Sequence, residues 1–166
     1  YGENTWNEAK AWVSDGNSFA LMGDGTNAFI YKFYVNNLEA KNCYRISSSV
    51  ATDVLSADFY AFSSTRSVLF YVKNNTLYAY NYDIGNERVD MIPLETTDEI
   101  TMLKFDLTME PMKDALYIAT YSAIEGGSLR KYYVGNNPDK VELKSDPKAV
   151  WKGLTKVKNM SWRALL

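Results

Sequence analysis

The stretch Ser67–Asp83, SVLFYVKNNTLYAYNYD, decides the fold. Two runs rich in β-branched and aromatic residues flank Asn74-Asn75, and asparagine tolerates the positive φ that a tight two-residue turn requires, so the stretch reads as a β-hairpin. In its second run the period is two. Tyr78, Tyr80 and Tyr82 therefore share one face of the strand, and Leu77 and Ala79 share the other. Both faces are largely apolar, as expected of a sheet covered on both sides.

Imperfect copies of the hairpin lie on either side. SFALM begins at Ser18, SVLFYV at Ser67 and ALYIAT at Ala115, so the starts are 49 and 48 residues apart. Each is followed by a turn rich in Gly, Asn or Thr (GDGTN, KNN, EGG) and then by FIYKFYV, TLYAYNYD or SLRKYYV. A further short strand follows each hairpin, at Tyr44-Arg45-Ile46, Val89–Leu94 and Val141-Glu142-Leu143. Linking strands are expected at Asp53–Phe62, Ile100–Thr108 and Val157–Leu165. The N-terminal stretch is the least repeat-like; a strand is expected at Lys10–Ser14, with Trp6 and Trp12 on one face if the chain is extended.

A unit of about 48 residues with four short strands has the size of a propeller blade. One such blade buries neither face alone, whereas stacked blades share a continuous core. The expected fold is all-β: a propeller-like array of four-stranded antiparallel blades, about three of them plus an extra strand. The repeats run roughly over 10–62, 63–108 and 109–165 within a single β-repeat domain, 1–166. Three blades are fewer than a closed ring uses. Either the N-terminus completes a fourth blade with Val157–Leu165, or other chain segments complete the propeller; the second is the preferred reading, which makes the chain part of a larger protein. Pro93 falls inside a short strand-like run, which suits an outer edge, and Pro111, Pro138 and Pro147 fall between strands.

Composition narrows the function classes. The 166 residues are 46% hydrophobic and 23% charged, an ordered globular balance, and a net charge of −2 leaves no basic footprint for nucleic acid. Aromatics reach 14%, with 13 Tyr and 4 Trp, a level suited to strands and to sugar- or protein-contacting surfaces. Histidine is absent, which removes the usual general base and zinc ligand. The single cysteine, Cys43, allows no internal disulfide and reads as a structural thiol rather than a nucleophile. No apolar run approaches the roughly 18–20 residues of a membrane span. No phosphate-binding loop, nucleophile elbow or metal-ligand spacing occurs, and no cofactor or metal is expected.

Few candidate sites remain. Trp6, Trp12 and Trp151 are the ligand-binding candidates, because they lie in loop-like or terminal stretches. Tyr78, Tyr80 and Tyr82 could form a platform but read better as packing between blades. Gly23-Asp24-Gly25-Thr26-Asn27 lacks the further carboxylates of a calcium loop and reads as a turn. Asp98-Glu99 and Asp106/Glu110 could supply a glycosidase pair only if they face one another across a cleft, and solvated strand ends are their default reading. The sequons at Asn74 and Asn159 would matter only in a eukaryotic secretory setting.

Three sets of residues carry a family resemblance. They are the tail from Gly153 to Arg163 (GLTKVKNMSWR), the run EITMLKF at Glu99 with ALYIAT at Ala115 and GGSLRKY at Gly126, and the hairpin LFYV at Leu69 with LYAY at Leu77. Over about the last two-thirds of the chain, this pattern resembles the C-terminal propeller-like region of the PKD-like family of surface lipoproteins from Bacteroidetes. The resemblance implies a lipidated N-terminus and immunoglobulin-like repeats elsewhere in the protein. It also implies a place on the outer membrane beside SusC/SusD-type nutrient transporters. The expected function is a non-enzymatic binding or scaffold domain, with transporter components, completing chain segments, and a glycan or peptide as partners. The alternatives are a carboxylate-dependent polysaccharide-degrading enzyme on a propeller scaffold and an intracellular protein-interaction propeller.

Overall fold

A computed structural model describes residues 8–14, 17–23, 27–34, 37–63, 66–83, 85–105 and 115–160; over 8–18 and 33–42 only the backbone is described. The described chain is all-β apart from one short helix. It divides into two compact units, Tyr1–Ala57 and Asp58–Leu166.

The first unit is a meander of four antiparallel strands in sequence order: β1 (Glu8–Ser14), β2 (Asn17–Gly23), β3 (Ala28–Tyr34) and β4 (Asn37–Arg45). The strand expected at Lys10–Ser14 lies within β1, and the one expected at Tyr44 is the end of a longer β4. Phe19, Leu21 and Ile30 on one face and Ala20, Phe29 and Tyr31 on the other are all buried. The helix α1 (Ser48–Leu55) follows and lies against β3. This corrects the extended run expected over Asp53–Phe62, whose strand begins only at Phe59. Ala51 and Val54, three residues apart, are the buried positions of α1, a helical spacing that the loosely alternating reading of Asp53–Phe62 did not reach back to include. Ser56 ends the helix, donating from its backbone N–H and its hydroxyl to the carbonyl of Thr52.

The second unit holds two more meanders. In one, β5 (Phe59–Phe62), β6 (Val68–Lys73), β7 (Thr76–Asn81) and β8 (Arg88–Ile92) pair in that order; in the other, β9 (Glu99–Phe105), β10 (Ala115–Ser122), β11 (Gly126–Val134) and β12 (Leu143–Leu154) do the same. The sheets thus run over 8–45, 59–92 and 99–154. Phe59–Phe62 and Glu99–Phe105 each open a sheet, where the repeat limits at 62/63 and 108/109 had them closing one. The reason is the register: β5 pairs with β6 from Phe59↔Val72 to Phe62↔Leu69, and β9 pairs with β10 from Leu103↔Ile118 to Phe105↔Leu116.

The central hairpin turns where expected. Asn74 and Asn75 have φ of 50° and 56°, so the turn is of the mirror-image type whose twist matches the flanking strands. Tyr71 and Tyr78 stack across it with ring centroids 5.2 Å apart. Tyr80 and Tyr82 are buried and Tyr78 is half-buried, so most of the ring surface of the ladder is packed. The turn Gly23–Asn27 falls mainly outside the described residues.

The two sheets of the second unit stack face to face. Val68, Phe70, Val72, Leu77 and Ala79 of one meet Leu103, Phe105, Leu116, Ile118 and Tyr132 of the other in one apolar cluster, with Phe70 and Phe105 stacked at 6.4 Å. The first strands, β5 and β9, run beside one another. Polar groups pin the edges: Asp90 accepts from Arg88 Nε (3.0 Å) and from the Val141 amide (3.0 Å), and Tyr132 donates to Glu95 Oε1 (2.6 Å). The link between the sheets passes the β6–β7 turn, where Asn75 Nδ2 donates to the carbonyls of Thr97 and Asp98 and its Oδ1 accepts from the Ile100 amide.

On the far face of the third sheet, Met102, Tyr117, Ala119 and Leu129 are covered by Val157 and Met160. Lys104 Nζ donates to Asn159 Oδ1 (3.1 Å) and to the Met160 carbonyl. Residues 155–160 are not a strand, contrary to the expectation for Val157–Leu165; 161–165 lie outside the described residues.

Candidate functional site

The three tryptophans fare differently. Trp6 lies outside the described residues. Trp12 sits in β1 opposite Ala20, with only its backbone described. Trp151 is neither in a loop nor terminal: it lies inside β12, the edge strand of the third sheet, and is 46% exposed. Pro147 concealed that strand in the sequence. The structure accommodates it in a bulge, because Tyr132 pairs with Ser145 while Arg130 pairs with Val150, leaving residues 146–149 looped out. Asp146 secures the loop by accepting from the Lys148 amide (3.0 Å) and from the Tyr133 hydroxyl (3.3 Å).

A second irregularity follows. Leu129 pairs with Trp151 and Gly127 with Leu154, so β12 spends three residues where β11 spends two. Gly153, at φ 68°, takes the positive-φ position of this bulge, and the extra residue returns Leu154 to the face that carries Trp151. Leu154 is 37% exposed, and Ile124 in the adjoining β10–β11 turn is 96% exposed. The edge therefore presents apolar surface around a half-exposed indole.

The strand is also rich in lysine. Residues 140–158 carry six lysines against Glu142 and Asp146, in a chain whose net charge is −2. Lys144, Lys148, Lys152 and Lys156 are all exposed. On the face of Trp151, Lys131 Nζ lies 5.0 Å from the Tyr133 ring centroid and 5.8 Å from that of Tyr117, both within cation–π range. Lys156 pairs with Glu99 (3.2 Å) and lies over the Tyr121 ring. The lysines were visible in the sequence at four-residue intervals, but their joint placement along one sheet edge follows only from the pairing of β12.

Asp90 and Glu95 hold the stacked sheets together, Glu99 meets Lys156, and Asp98 is held through its backbone carbonyl and amide. Asp106 and Glu110 lie outside the described residues. Among the described residues, no group of three or more His, Cys, Asp or Glu is placed to hold a metal ion, and no helix is long and apolar enough to cross a membrane. Cys43 is half-buried on β4. Desolvation pushes its thiol above the usual range, with the neighbouring Tyr31 side chain opposing it in part, which makes it a poor nucleophile. Comparison with protein families, curated proteins and solved structures finds no match to the chain.

Proposed function

We propose that the chain is a non-enzymatic binding or scaffold domain, built as a propeller-like array of four-stranded blades, in a bacterial cell-surface lipoprotein associated with SusC/SusD-type nutrient uptake. The observation that carries the architectural part is the stacking of two four-stranded meanders with their first strands side by side and their last strands at the outer edges.

The tail supports the same reading. Ile100 and Leu103 pack in the cluster between the second and third sheets, and Val157 and Met160 pack on the far face of the third. Both pairs are separated by 57 residues, as are Phe105 and Trp162 in the sequence. The approaches correspond too. The link before Ile100 passes the β6–β7 turn at Thr97 and Asp98, and the tail passes the β10–β11 turn, where Gly126 and Gly127 lie against the Leu154 carbonyl. In this reading residues 157–160 lie along the position that the first strand of a further blade takes once completing chain segments pair with it, and β12 lies on the outer rim.

The cell-surface and transporter part rests on the family resemblance and on the aromatic, lysine-rich rim. Pull-down of outer-membrane transporter components, together with a glycan and peptide array, tests it. Retention of a transporter component, glycan or peptide is expected, and no retention of any of them refutes the proposal. Polysaccharide turnover abolished by a single Asp→Asn change would establish the enzymatic alternative instead.

A further inference from the structure

We propose that the outer half of the third sheet's far face, carried by Leu129, Trp151 and Leu154, docks an antiparallel β-meander of another protein, apolar on its inner side and acidic along its rim. The proposal deepens the reading of a further blade and rests on it.

The second sheet shows what such a face looks like when it is covered. There Leu77 follows the β6–β7 turn and pairs with Ile92, and two residues further on Ala79 pairs with Asp90. All four face the third sheet: Leu77, Ala79 and Ile92 are buried in the shared cluster, and Asp90 accepts from the Val141 amide. In the third sheet Gly127 follows the β10–β11 turn and pairs with Leu154, and two residues further on Leu129 pairs with Trp151. Leu154 therefore stands where Ile92 does, and Trp151 where Asp90 does. Ile92 is 6% exposed beneath its neighbouring sheet, whereas Leu154 is 37% and Trp151 46% exposed. Val157 and Met160 pack with Met102, Tyr117 and Ala119 of the two inner strands, so among the described residues the outer half of the face is the exposed part.

This repetition names the kind of occupant. The second sheet's face is covered by a four-stranded meander, and the far face of the third repeats the same ladder with its outer positions open, so a further meander in the same orientation fits it. It is not a repeat of the third sheet, because Asp90 there meets a backbone donor, and an indole in that position needs an apolar contact. A second copy of the chain is disfavoured by charge. Residues 140–158 carry six lysines against Glu142 and Asp146, and two such edges repel one another, whereas an acidic rim complements them. Attraction at a distance speeds the meeting of separate molecules and adds little for segments already joined, which selects another protein as the source. The proline and bulges of β12 guard its edge against lateral pairing and do not obstruct its face.

The test puts the photoreactive residue p-benzoylphenylalanine in place of Trp151, and in a control in place of the exposed Glu142, in the protein within its own cells, and sequences the cross-linked peptides. Cross-linking is expected from position 151 and not from 142, to an alternating apolar segment of another protein with Asp or Glu beside it. Leu154→Glu should lower the yield about tenfold, with an unchanged denaturation midpoint showing that the chain is folded. In lysate, about 0.5 M NaCl should lower the yield severalfold through screening. A cross-link to a second copy, to lipid or to a saccharide, or a yield unmoved by salt and by Leu154→Glu, would overturn the proposal. A cross-link to another segment of the same protein also overturns it but leaves the further blade standing; no cross-link from position 151 removes both. Polysaccharide turnover with the cross-link intact would refute the non-enzymatic reading and keep this surface.

Discussion

Asn75 ties the central hairpin to the sheet that follows it, and its replacement tests that junction quantitatively. Its Oδ1 accepts from the Ile100 amide at 2.7 Å, and its Nδ2 donates to the carbonyls of Asp98 at 3.1 Å and Thr97 at 3.3 Å. Ile100 is buried, so removing the acceptor leaves its amide unpaired at the edge of the core, which costs about 1–3 kcal/mol. The two Nδ2 bonds are exposed and water replaces them readily, so each contributes about 0.5 kcal/mol. Asn75→Gly keeps the turn, whose φ at this residue is 56°, and should cost about 2–4 kcal/mol in total. Asn75→Ala loses the same bonds and adds left-handed strain of about 1–2 kcal/mol. Glycine's extra freedom in the unfolded chain offsets part of the difference, leaving alanine worse by about 0.5–1 kcal/mol. Urea denaturation at unchanged m-value reads the cost, and hydrogen exchange at the Ile100 amide localises it. A loss below about 0.5 kcal/mol for Asn75→Gly, or equal losses for the two variants, would refute this account of the junction.

Three other outcomes follow from the same packing. Phe70 is fully buried and stacked on Phe105, so Phe70→Ala should cost about 3–5 kcal/mol in thermal or urea melts. At Gly127 an added Cβ would overlap the Thr155 carbonyl and lie 3.1 Å from that of Leu154. Both obstacles are backbone, so Gly127→Ala should cost about 1–3 kcal/mol and speed hydrogen exchange over residues 155–160. Burial raises the phenol of Tyr82 above its ordinary range, with Asp83 adding to it. Burial likewise raises Tyr132, helped by its hydrogen bond and proximity to Glu95 and opposed by Arg130. Both favour the protonated folded state, so their contribution is complete below the ordinary tyrosine value near 10 and is lost as pH rises above it. Stability should fall from about pH 10 upward, and less steeply in Tyr132→Phe; an unchanged slope in denaturation midpoints would contradict the assignment.

Strand content was legible because it is local. Alternation in Leu77–Tyr82, the Asn74-Asn75 turn and the spacing of Ser18, Ser67 and Ala115 all state it within a few residues, and β2, β3, β6, β7, β10 and β11 lie where that pattern puts them. The errors fall where local pattern and tertiary pairing diverge. Ser48–Leu55 has no strong helical signature of its own, and its helix is stabilised by burying Ala51 and Val54. Pro147 marks a break in sequence, yet an edge strand absorbs it in a bulge because its outward amides need no partner.

From residues alone came the hairpins and their repetition. Three-dimensional pairing settled which sheet each linking strand joins, since hydrogen bonds between strands are chosen by register and not by distance along the chain. It also settled what surrounds Trp151. Two bulges in β12 reset its register against β11, which sets Trp151 opposite Leu129 and Leu154 opposite Gly127 on one face.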